Sequence, residues 1–190
     1  MNSSSNEDVE IAVIISAFDE KKGPVPLAMT ENWTEILSED QLLNLVMWAE
    51  VSVGAFDRRA GLGARERRLQ GPLQIPVQPT RVGLIWPWMT PAPESTRLKR
   101  GRLHCLILVF PEMLTERLLE KIPEMQEYLL NNITIEKRIS QSELDNHTNK
   151  IREIVLEEED YVKRALKVAF RSTSPKNDKN KMNEQQSDKL

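Results

Sequence analysis

The 190-residue chain predicts an α+β domain built on a five-stranded antiparallel sheet, and three observations predict it. Val9–Phe18 and Leu103–Phe110 are apolar on both alternations of a strand, which marks strands covered on both faces. Other strand-like stretches hold Pro24, Pro26 and Pro76, and a residue without a backbone donor belongs at a sheet edge. Helical spacing of apolar residues is confined to one stretch after Ser38 and two after Pro111.

Taken in order, residues 1–8 read as a flexible lead and Val9–Phe18 as the first buried strand. Asp19–Gly23 is a short turn, and Pro24–Met29 its hairpin partner. Ser38 opens a helix, because Ser38 and Gln41 have capping-box spacing and Glu39 and Asp40 suit the positive end of the helix dipole. Leu42, Leu45, Val46, Ala49 and Val53 form its apolar stripe, and Gly54 ends it. A Gly- and Arg-rich loop covers Asp57–Gln70, and Leu73, Ile75 and Val77 alternate as a half-buried edge strand. Arg81–Met89 is a further strand, Thr90–Arg102 a polar basic loop, and Leu103–Phe110 the second buried strand. Leu114, Leu118, Ile122, Met125 and Leu129 follow helical spacing from Glu112 to about Ile133, with a kink or restart expected at Pro123. Ser140 and Glu143 cap a last helix whose stripe runs from Leu144 to Ala169. Arg171–Leu190 loses its apolar residues and reads as a disordered tail, leaving residues 9–170 as the domain.

The order is therefore β-β-α-β-β-β-α-α. With the doubly apolar strands central and the Pro-bearing strands outside, the sheet order is 2-1-5-4-3. One helix is expected on one face and two on the other, in three layers.

Composition narrows the function classes. The net charge of -3 and pI of about 5.6 argue against a nucleic-acid binder. A single cysteine, Cys105, excludes an internal disulfide framework and fits a reducing compartment. The opening MNSSSNEDVE shows no signal peptide, and no apolar run approaches the ~18 residues a membrane span needs. A cytoplasmic location, or one peripheral to a membrane, is expected.

The element order resembles the longin domain, and Ile11–Leu27 (IAVIISAFDEKKGPVPL) is similar to the opening of longin-like and roadblock-like proteins common in archaea, where a strand ends in Phe-Asp and a Gly-Pro turn follows. A roadblock domain would place a helix before the first strand, which favours longin. The resemblance spans about Asp8–Ala169 and departs from the family in the Arg-rich loop after the first helix and the length of the last one. It implies a non-enzymatic platform in the regulation of small GTPases or in vesicle trafficking. The implied partners are a small GTPase or another longin- or roadblock-type subunit.

Signals of catalysis are weak. His104 and His147 are the only histidines, and adjacent His104 and Cys105 must point to opposite faces of their strand. There is no Gly-x-Ser-x-Gly elbow, and Gly61-Leu62-Gly63 completes neither a dinucleotide loop nor a P-loop. The acidic run Glu157–Asp160 radiates around a helix as a solvated face. No catalytic, cofactor-binding or metal-binding residues are assigned.

Charge is the stronger signal. Over Asp19–Gly23, Asp57–Arg68 and Glu94–Arg102 there are eleven basic side chains: Lys21, Lys22, Arg58, Arg59, Arg65, Arg67, Arg68, Arg97, Lys99, Arg100 and Arg102. Five acidic residues oppose them, a net of +6 against -9 for the remainder. The 2-1-5-4-3 order brings these segments to one end of the sheet. They are either solvated loops or a basic rim that meets an anionic membrane or an acidic protein. Trp86 and Trp88, on one side of their strand, either pack into the core or anchor a partner. The function expected is an interaction module, with a ligand-sensing domain that encloses a small-molecule pocket as the alternative.

Overall fold

The computed structural model describes residues 9–53, 67–76, 78–92, 101–133 and 139–157. Every element given below lies in one compact unit that ends at Leu156. The last helix ends at Leu156 and Glu157 lies outside it, which corrects the unbroken run expected to Ala169; residues 158–170, the tail from Arg171 and the lead over residues 1–8 fall outside the described residues.

Strands β1 (Ala12–Asp19), β2 (Gly23–Met29), β3 (Gln70–Ile75), β4 (Gln78–Thr90) and β5 (Arg102–Pro111) form one antiparallel sheet in the order β2-β1-β5-β4-β3. This is the expected order, and its cause is visible in the burial. Residues 11–17 of β1 and its lead-in are all buried, as are residues 105–110 of β5, so each of these strands needs cover on both faces. Their register runs from Ala12 opposite Val109 to Ala17 opposite His104. Pro24 and Pro26 lie on the outer strand β2. At the other edge, Pro72 is the proline within β3, and Pro76 falls just past the strand's end.

Alternation divides the apolar side chains into two cores. Ile11, Val13, Ile15, Leu84, Trp86, Leu106, Leu108 and Phe110 pack with Leu118, Met125, Leu129, Leu144, Ile151 and Val155 of helices α3 (Thr115–Asn132) and α4 (Gln141–Leu156). Ala12, Ile14, Ile85, Cys105, Ile107 and Val109 pack with Leu42, Leu45, Val46, Ala49 and Val53 of helix α2 (Glu39–Ser52) and its C-cap. Complete burial of one such aliphatic side chain contributes about 1.5–3 kcal/mol.

Both caps form as their spacing predicts. The Ser38 hydroxyl accepts the Gln41 N–H at 3.3 Å, and the Gln41 side chain accepts the Ser38 N–H at 2.8 Å. Glu143 likewise accepts the Ser140 N–H at 2.9 Å. Three expectations need correction. A four-residue helix, α1 (Trp33–Ile36), precedes α2 and was missed because one turn is too short to show a period. β3 begins three residues before Leu73, where Gln70 pairs with Ile85 across an irregular register. Of the kink or restart expected at Pro123, the restart does not occur: helix α3 runs on through it, and Leu119 and Pro123 both lie on its exposed side, where water can satisfy the freed Leu119 carbonyl.

Candidate functional site

The strand directions bring the end of β1, the starts of β2, β3 and β5 and the end of β4 to one end of the sheet, where basic residues were expected to gather. The hairpin turn there is built by Asp19, whose carboxylate accepts the backbone N–H groups of Lys21 and Lys22, each at 2.9 Å. Those two bonds, with the charges of Lys22 and Arg102, hold the Asp19 carboxyl below its ordinary range. Both lysines stay exposed, while half-buried Arg102 starts β5 opposite Thr90. At the start of β3, the Arg67 carbonyl accepts from Trp86 Nε1 at 2.6 Å and from Gln126 Nε2 at 2.8 Å, and Leu69 donates its N–H to Gln126. This clamp ties β3 to α3 and leaves Arg68 exposed beside it. Arg58, Arg59 and Arg65, together with Arg97, Lys99 and Arg100, lie outside the described residues.

Trp86 and Trp88 are 0 % and 5 % exposed, so both lie in the core, as the packing alternative had it, and neither stands out as a surface anchor. Their rings are 5.4 Å apart, and Trp88 stacks on His104 at 5.3 Å with 12° between the planes. His104 Nε2 is 2.9 Å from Thr90 Oγ1. Burial, with the Arg102 charge second, pushes the His104 pKa down to about 4, which keeps the ring neutral near pH 7 and makes it a weak proton acceptor. On the opposite face, as alternation requires, burial and then the Glu50 charge raise the Cys105 thiol well above its usual range. His147 is remote from this end and bonds the Tyr128 hydroxyl at 2.7 Å between α3 and α4.

One ionisable residue that the sequence reading passed over is Glu50. It stands four residues after Val46 on the buried stripe of α2 and is 0 % exposed. Neither carboxyl oxygen has a hydrogen-bond partner. Ser16 and Cys105, directly opposite each other on β1 and β5, are its polar neighbours. Burial pushes the Glu50 pKa up to about 7, and the Ser16 hydroxyl offsets only part of that rise. The spacing alone could have found it, since a carboxylate at that position of the stripe must enter the core. The outer side of α2 carries a second feature: Leu43, Met47 and Val51, at intervals of four, are 51 %, 54 % and 55 % exposed.

Comparison with family models, curated proteins and solved structures gives no match. Among the described residues no group of three or more His, Cys, Asp or Glu could hold a metal ion. No helix among them is long and apolar enough to cross a membrane.

Proposed function

We propose that the chain is a longin-like interaction module, a non-enzymatic scaffold or regulator for a small GTPase or a vesicle-trafficking-type assembly. The observation that carries this reading is the β2-β1-β5-β4-β3 sheet with α2 packed in one core and α3 and α4 in the other. The crossover through α2, from one sheet edge to the other, belongs to the element order that suggested the longin resemblance, to which α1 adds a single turn. The weakly basic His104 and the hard-to-ionise Cys105 thiol agree with a binding rather than a catalytic role. Exposed Lys21, Lys22 and Arg68 at one end of the sheet supply charges for an acidic partner surface or an anionic leaflet.

The test is affinity capture with the full chain as bait, from native lysate supplied in parallel with GDP or a non-hydrolysable GTP analogue. A small GTPase retained in one nucleotide state, and lost when Lys21, Lys22 and Arg68 are changed to Glu, is the expected result. Capture that is indifferent to nucleotide, with a metabolite co-purifying specifically, would replace this reading with ligand sensing.

A further inference from the structure

Glu50 lies in the last turn of α2, with its side chain aimed at the sheet. A carboxylate there has no cation within reach among the described residues. From β1 its polar neighbour is Ser16, between Ile14 and Phe18 of the same face; from β5 it is Cys105, between Leu103 and Ile107. β2 carries no ionisable side chain, and neither do residues 82–90 of β4. Asp19 at the end of β1 is engaged by its own turn. Glu39 and Asp40, the other acids of α2, are exposed at the opposite end of the helix, as is Glu35 on α1.

Neither carboxyl oxygen makes a well-formed hydrogen bond, so the nearby Ser16 hydroxyl offsets only part of the penalty on the ionised form, whereas the neutral acid is a tolerable occupant of an apolar site. Hydrating the ionised group by a local route requires only the end of the helix to lift. Ala49 and Val53 would leave the core, while Leu42, Leu45 and Val46 keep the first two turns anchored. The backbone bond from the Val53 N–H to the Ala49 carbonyl, 3.1 Å long, would open in that motion.

We propose that the last turn of α2 is a proton-operated latch, closed on the sheet while Glu50 is neutral and increasingly released as that carboxyl ionises. The inference stands on the burial and isolation of Glu50 and is independent of what the chain binds. Its pH window follows from the two ionisation ranges of the group. Opening should grow about tenfold per pH unit above the ordinary Glu range, where the open form ionises, and level off near pH 7, where the closed form does.

Amide hydrogen exchange tests it, with rates corrected for the intrinsic pH dependence and followed from pH 5 to pH 8. Protection at Glu50–Val53 should fall by about 40-fold between pH 5 and pH 7 and by only about twofold more by pH 8. Amides of β1 and β5 exchange only through global unfolding and should respond steeply to low urea, whereas those of Glu50–Val53 should respond weakly, as a local opening requires, and a Glu50→Met variant should keep its last turn protected throughout. Protection at Glu50–Val53 that does not change with pH would overturn the latch. So would a urea response at Glu50–Val53 as steep as that of β1 and β5, which would show the whole core opening instead. The comparison between segments is made within the native chain, so it remains decisive even if Glu50→Met folds poorly.

Discussion

Arg117 closes the end of helix α4: its guanidinium donates to the Leu156 carbonyl at 2.7 Å and to the Val155 carbonyl. The last carbonyls of a helix have no partners within it and carry the negative end of its dipole, so a fixed cation there satisfies both needs. The side chain comes from the first turn of α3, so one residue joins the start of one helix to the end of the next.

Arg117→Met should therefore lower stability by roughly 1–3 kcal/mol, the usual worth of hydrogen bonds to a charged donor, while keeping most of the aliphatic packing. Urea unfolding at neutral pH reads the loss. Hydrogen exchange should place it in the last turn of α4, and an unchanged midpoint would show the bonds to be dispensable.

Glu50 predicts a pH-dependent stability with a definite sign. Its folded-state pKa of about 7 lies above the ordinary 4.5, so the folded chain holds the proton more tightly. The associated stability is complete below about pH 4.5, declines as pH rises, and is gone above about pH 7. At roughly 1.4 kcal/mol per pKa unit this reaches up to ~3 kcal/mol. The difference in urea midpoint between the native chain and Glu50→Met across pH 4.5–8 isolates it, and a flat difference refutes it.

His104 contributes with the opposite sign. Its pKa is pushed down from 6.5 to about 4, so its stability is complete above about pH 6.5 and is lost as pH falls through 4. The ring is only partly buried, which reduces the effect to roughly 1–2 kcal/mol. His104→Gln should remove the acid-side decline, provided the stack on Trp88 is not otherwise disturbed. Near-UV circular dichroism of the Trp88 environment checks that condition.

Gly83 predicts a packing limit between α2 and β4. A Cβ at that position would lie 3.0 Å and 3.1 Å from two ring carbons of Trp48, so the indole must move before any side chain fits. Gly83→Ala should cost about 1–3 kcal/mol, the range for overpacking a filled site, and should shift Trp48 fluorescence. Gly83→Ala with Trp48→Leu should recover part of the loss.

The basic rim expected from the sequence predicts salt-sensitive recruitment. Arg58, Arg59, Arg65, Arg67 and Arg68 changed together to Ser should reduce co-sedimentation with phosphatidylserine vesicles severalfold at low salt. The native chain should lose the same binding as salt rises, because exposed charges are screened over about 8 Å at physiological ionic strength. Equal sedimentation of the two proteins would leave these side chains as solvated loops.

Much of the fold was legible because burial leaves a local record. The doubly apolar Val9–Phe18 and Leu103–Phe110 could only be central, and Pro24 and Pro26 could only be peripheral, which together order five strands. Ser38 with Gln41 and Ser140 with Glu143 marked two helix starts that formed as read. What escaped was set by contacts distant in sequence. Gln126 clamps Leu69 and Arg67 from 57 and 59 residues away, and nothing near Gln70 announces that β3 begins there. Trp86 and Trp88 illustrate the limit at the candidate site, since a tryptophan suits a core and a contact surface equally well until its neighbours are known. Arg117 showed no spacing signal, because the carbonyls it serves lie 38 and 39 residues further along the chain.

Pro24 and Pro26 have the same parity on β2, so both imide nitrogens lie on one side of that strand, away from the ladder it shares with β1. A strand offered from another molecule would find consecutive donor positions empty, and at the far edge Pro72 leaves β3 one donor short within an irregular register. Association by extending the sheet is thus discouraged at both margins, which leaves side chains as the means by which a partner would be recognised. Side chains can be exchanged one at a time without touching the backbone hydrogen bonds that define the fold. The same scaffold can thereby acquire or discard partners through small surface changes, with its architecture conserved by the very prolines that close its margins.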